Sequence, residues 1–221
     1  MINAFVTQLF LALCFGILLM EEARAKEQKS RSLIDIMTGQ GQPSFLYRKL
    51  LIGIIVSLFG YLFYTGEQEM LEPWRNNGWS FLIPFLIIST LIFGYFTAGK
   101  IITKQSNVFT FPSFRSTYIL IRIVHLMLYE FFFRAVLLCA CIKWMGVIPA
   151  VLTNLFLYSV IHWHSSRNEI IGTIPFGLLL CILTISFNSI WPAIIMHLAL
   201  AMGHELRLLY QHSSSTKFWK L

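Results

Sequence analysis

Three apolar stretches of this chain carry groups able to move a proton. One, around residues 117–141, holds His125, Glu130 and Arg134; the next ends in His162, with His164 two residues on; the last contains His197, His204 and Glu205. A carboxylate and imidazoles brought to one point can activate a water, and a donor beside them can hold the oxyanion that forms when that water attacks a carbonyl. Glu130 and Arg134 are four residues apart, so on a helix they share a face and can pair. The pair also has a purely structural reading, as an internal ion pair that lets one helix carry two charges. A lone histidine in an apolar run is commonly a hydrogen-bonded packing residue. Three runs that each bring Glu or His to one interior are what point to a site.

These groups sit in a chain that composition assigns to the membrane. Of 221 residues, 57% are hydrophobic and 12% charged, about half the charged share of an ordinary soluble domain. Seven apolar runs cover Ile2 to Met20, Leu50 to Thr65, Trp79 to Ala98, Thr117 to Cys141, Gly146 to His162, Ile170 to Phe187 and Ile190 to Tyr210. A helix rises about 1.5 Å per residue, so about 20 residues cross the hydrocarbon, and the expected fold is an all-α polytopic bundle of about seven spans. The first run has no basic segment before it and no small-residue cleavage site after it, and is expected to be a membrane helix rather than a secretory signal.

The formal charge of +7 lies mostly in short loops, which argues for the positive-inside rule and against a nucleic-acid face. The 21–49 and 99–116 loops, rich in Lys and Arg, are expected inside, and the 66–78 loop with Glu67, Glu69 and Glu72 outside. The N-terminus is then out and the C-terminal tail in, in a cytoplasmic membrane of bacterial type. Cys14, Cys139, Cys141 and Cys181 all fall within apolar runs and read as small core residues. In depth, Glu130 is about thirteen residues into an outward-running helix and His197 about seven into an inward-running one, which puts them at one level. By the same count His162 lies nearer the inside.

The stretch Tyr129-Glu-Phe-Phe-Phe-Arg134 resembles the glutamate-glutamate-x-x-x-arginine motif of the type II CAAX prenyl endopeptidases, the CPBP family. Tyr158-Ser-Val-Ile-His162 is similar to the family's second motif, an aromatic followed four residues later by histidine. The third motif, histidine followed four residues later by asparagine, falls on His197-Leu-Ala-Leu-Ala201. The resemblance covers about Thr117 to Leu206 and implies a membrane core at 117–210, preceded by three helices and loops at 1–116 and followed by a tail at 211–221.

The resemblance also implies roles. The first glutamate of the first motif and the second-motif histidine activate water; the third-motif histidine and asparagine stabilise the oxyanion. Here Tyr129 replaces that glutamate and Ala201 the asparagine, leaving Glu130, His162 and His197 as the catalytic candidates, with Tyr129, Arg134, Tyr158 and Ala201 in support. A phenol, with an ordinary pKa near 10, is a poor base at neutral pH. The Glu21-Glu22 pair, read as part of a charged loop, does not restore the motif because Lys26 stands where arginine is required.

Two functions therefore remain open: an intramembrane endopeptidase acting on a membrane-proximal or transmembrane peptide, and an inactive scaffold or immunity-type protein of the same fold. Little or no turnover is expected, with Tyr129→Glu plus Ala201→Asn as the direct way to restore some. A transporter is disfavoured because no paired broken helices occur. Zinc on His162, His164, His197 and Glu130 is disfavoured because His162 and His164 would point to opposite sides of a helix, and no metal or other cofactor is expected.

Overall fold

A computed structural model describes residues 4–27, 43–62, 68–71, 81–97, 112–164 and 167–218. The expected loops around Asn76 and Ser106 lie outside them. The described residues are helical, with no strand: α1 Ala4–Glu27, α2 Pro43–Leu62, a 3-10 turn Gln68–Leu71, α3 Leu82–Thr97, α4 Pro112–Glu130, a π-helical segment Phe131–Leu138, α5 Cys139–Met145, α6 Val147–Ile161, a 3-10 turn His162–His164, α7 Arg167–Phe187 and α8 Trp191–Phe218. Helix α4, the π segment and α5 run on without a break, so the described part of each of the seven apolar runs falls mainly on one helical rod. Two helical stretches, Thr117–Met145 and Ile170–Phe187, are long and apolar enough to cross a membrane.

Four ends differ by five residues or more from the sequence reading. Helix α1 continues beyond Met20 to Glu27, α2 begins at Pro43 rather than Leu50, α4 begins at Pro112 rather than Thr117, and α8 continues beyond Tyr210 to Phe218. The extension Glu21-Glu-Ala-Arg-Ala-Lys-Glu27 consists of good helix formers, which carry the helix past the apolar stretch. Glu21 and Glu22 are therefore helical residues and do not lie in a loop. They join α1 to α2, where Arg48 donates to Glu21 and Lys49 to Glu22, both at 2.6 Å.

Turns are tight where the core needs them. Gly146, at φ +82, is the one residue between α5 and α6; its N–H bonds the Ile142 carbonyl and its carbonyl accepts from Ala150. The α7–α8 turn is fastened to the first half of the chain: the Ile190 N–H reaches the Met70 carbonyl at 3.0 Å, and the Trp191 indole N–H the Leu71 carbonyl at 2.9 Å.

The core is shared between halves. Leu11, Cys14 and Leu18 of α1 and Val56 of α2 belong to the same buried cluster as Tyr129, Phe132, Phe133, Tyr158 and Ile161. On the other side α3 lies directly on α8: a methyl group added at Gly94 would run into the Leu200 carbonyl, and one at Gly203 into the Leu91 carbonyl. Small residues let helix backbones approach closely where lipid supplies no hydrophobic drive of its own. All four cysteines are buried. Large apolar side chains cover the outer surface, among them Leu13, Leu58, Phe85, Ile148, Phe156 and Ile171.

Candidate active site

Glu130 ends α4 and Arg134 lies one turn on in the π segment; both are fully buried, at 0% exposure. Arg134 Nε donates to Glu130 Oε2 at 2.8 Å, and His197 Nδ1 from α8 meets Glu130 Oε1 at 2.5 Å. Both carboxylate oxygens are thus engaged. A carboxylate only accepts, so Nδ1 of His197 carries the hydrogen of that bond.

The guanidinium is held from three sides. Its NH1 reaches Asn154 Oδ1 at 2.7 Å, Cys181 Sγ at 2.9 Å and the Gly177 carbonyl at 3.5 Å, while the Tyr158 ring lies 5.1 Å from Cζ. Gly177 has no side chain to keep α7 away: a Cβ there would stand 3.0 Å from Leu155 and 3.2 Å from Tyr158. The amide of Asn154 also donates to the Phe133 carbonyl at 2.8 Å. A π turn shifts the backbone bonding by one residue, and Asn154 satisfies a carbonyl within it.

Tyr129, one residue before Glu130, lies about 100° around α4 from it. Its ring centroid lies 6.0 Å from Tyr158, 6.3 Å from His162 and 6.2 Å from His197. Tyr158 and His162 are closer, at 4.8 Å. His162 Nδ1 bonds the Tyr158 carbonyl at 2.8 Å. That carbonyl can only accept, so Nδ1 carries the hydrogen and Nε2 is the basic nitrogen of the neutral ring. Tyr129 is 7% exposed, and its hydroxyl has no hydrogen-bond partner among the described residues.

Tyr129, Glu130, Arg134, Tyr158, His162 and His197 thus gather from α4, the π segment, α6 and α8. Ala201 lies one turn beyond His197 and offers no polar group. The other candidates stand apart: Glu205 accepts from the Tyr118 hydroxyl at 2.8 Å, and the His164 side chain is outside the described residues. His125, 9% exposed, has its ring 6.4 Å from Tyr129 and a hydrogen bond to the Lys49 backbone. Sequence reasoning missed Asn154, although an amide in the middle of an apolar helix is itself a signal, because an unpaired amide there is costly.

The family model described as type II CAAX prenyl endopeptidase Rce1-like matches residues 111–202. Over this segment, less than half of the chain, the protein is similar to the CPBP family. Neither the comparison with curated proteins nor that with solved structures gives a match. The family is membrane-embedded, and the matched segment contains Glu130, His162 and His197 together with the replaced positions 129 and 201.

Proposed function

We propose that the chain spans the membrane about seven times, N-terminus out and C-terminus in, and is a slow intramembrane endopeptidase acting on a membrane-proximal or transmembrane peptide. The carrying observation is the convergence of His162 and His197 on Tyr129 and Tyr158, with each imidazole held by a bond at Nδ1. The apolar outer surface supports the membrane placement, since exposed apolar area on this scale needs lipid or a partner.

In this reading His162 Nε2 takes a proton from a water as its oxygen attacks the scissile carbonyl. His197, carrying a second proton on Nε2, donates to the oxyanion with Glu130 as counter-charge, and the proton on His162 passes to the leaving amine as the C–N bond breaks. Glu130, with both oxygens engaged, orients His197 and is not the base. Ala201 leaves the oxyanion short of one donor, a loss worth about 10²–10³ in rate.

An inert scaffold is the second reading, favoured by the tyrosine that occupies position 129 within the pocket. The two separate in proteoliposomes with fluorescence-quenched transmembrane peptides and a prenylated CAAX peptide as probes. Slow cleavage that His162→Ala and His197→Ala abolish, and that Ala201→Asn with Tyr129→Glu raises about a hundredfold, supports the peptidase. No cleavage by either the natural chain or the double variant leaves the scaffold.

A further inference from the structure

Resting on the peptidase reading, we propose that Glu22, on the first helix, supplies the carboxylate that position 129 lacks. It is a positioning residue for His162, holding the imidazolium that forms when His162 takes the proton from water.

Glu22 follows Leu18 by four residues, so the two share a face of α1. Leu18 is buried in the cluster that contains Tyr129, Tyr158 and Ile161, the residue before His162. The next turn of that face therefore reaches the mouth of the same pocket. Helix α1 packs against both α6 and the His162–His164 turn, and Glu22 is within electrostatic range of His162, His125 and Tyr129.

The other carboxylates nearby are committed. Glu130 is closed off by Arg134 and His197, and Glu21 is bound by Arg24 at 3.1 Å and Arg48 at 2.6 Å. Glu22 accepts from Lys49 at Oε1 and keeps its side chain 26% exposed. Lys49 is itself buried and anchored on α2, which fixes the carboxylate in place. The Tyr129 hydroxyl, buried without a partner among the described residues, adds a bonding demand that a reacting water or a substrate carbonyl meets.

The arrangement follows the logic of a carboxylate behind a catalytic imidazole, in which a fixed negative charge stabilises the protonated ring without itself taking the proton. The difference from the family motif is the carrier: the charge comes from α1 and reaches the base from the side of the His162 turn.

Glu22 from α1 interacts electrostatically with His162, and the rings of Tyr129 from α4 and Tyr158 from α6 lie 6.3 and 4.8 Å from it; Lys49 from α2, Arg122, His125 and Glu130 from α4 and His197 from α8 are the other titratable groups on the helices around it. The test is histidine-selective NMR titration of the purified full chain in detergent micelles, with the His162 signal assigned by His162→Gln. Glu22→Gln should lower the His162 midpoint by about one pH unit, Lys49→Met should raise it, and Glu22→Asp should keep most of the natural value. Peptide cleavage at neutral pH should fall about tenfold in Glu22→Gln and recover in Glu22→Asp.

A residue that merely docks α1 would shift both variants in one direction, or neither, and either result overturns the proposal. If Glu22→Gln fails to fold, Lys49→Met decides alone: a rise in the His162 midpoint supports the pairing, no rise overturns it. A natural chain that cleaves no probe but shows the coupled midpoints keeps the Glu22–His162 pairing and removes the peptidase reading.

Discussion

Replacing Arg134 by glutamine would leave the Glu130 carboxylate buried with only the His197 imidazole for company. In the folded chain the two charges are fully buried and 2.8 Å apart, and the guanidinium makes further bonds to Asn154 and Cys181. Removing one partner of a buried pair costs about 3–5 kcal/mol, because an uncompensated charge remains. For a chain of this length each kcal/mol moves the melting midpoint by about 2–4 °C, so Arg134→Gln should lower Tm by roughly 10 °C. Glu130→Gln should lower it comparably, leaving a buried cation with neutral partners.

The double change Glu130→Gln with Arg134→Gln should be less damaging than the sum, because two amides can pair where neither charge is stranded. A coupling energy of about 1–3 kcal/mol is expected from the double-mutant cycle, read from thermal unfolding in detergent. Lys143→Gln, at an exposed position, serves as a control and should leave Tm unchanged. Strict additivity of the two single losses would refute the pair as a unit and reduce Arg134 to a ligand of Asn154 and Cys181.

Two further outcomes follow from particular atoms. Tyr129→Phe removes a buried hydroxyl without a partner among the described residues, so Tm should hold or rise by a few degrees while peptide cleavage falls; a clear loss of Tm would mean the hydroxyl is bonded in the resting protein. Single cysteines placed at Asn76 and Ser106 in a cysteine-free background should label with an impermeant maleimide on whole cells at 76 and not at 106, and the opposite pattern would invert the topology.

Much of the helical layout is legible because lipid-length apolar runs leave few other structures open to them. The described part of each run falls mainly on a helix, with α5 and α6 parted at Gly146 and α7 and α8 at Asn188. The Glu130–Arg134 pair was readable from spacing alone, since i and i+4 share a helix face. The end of α1 was less so, because a charged stretch of good helix formers has the composition of a loop in a membrane chain and the propensity of a helix; α8 runs on through Gln211-His-Ser-Ser-Ser-Thr-Lys-Phe218, whose Ser and Thr are weak helix formers, so local propensity does not mark its end. The π segment leaves no mark in the sequence: one of its carbonyls, at Phe133, is bonded by Asn154, twenty-one residues away. Glu22 was hidden for a similar reason, since only the packing of α1 on the His162 turn shows that the first helix takes part in the pocket.

Relocating a carboxylate from position 129 to position 22 has a consequence for any attempt to rebuild the family motif. Tyr129 already lies within electrostatic range of both Glu22 and Glu130. A glutamate placed there would bring a third negative charge into a low-dielectric pocket that holds Arg134 and Lys49 as its cations, and like charges at such sites cannot all ionise together. If Glu22 is the carboxylate of this site, Tyr129→Glu by itself should gain little, because the new side chain competes with it for His162. Tyr129→Glu combined with Glu22→Gln keeps the charge constant and moves it back to α4; it should cleave peptide faster than Glu22→Gln alone. Tyr129→Glu acting equally well with and without Glu22 would instead mean that position 22 never shared the task, leaving the first helix only as packing.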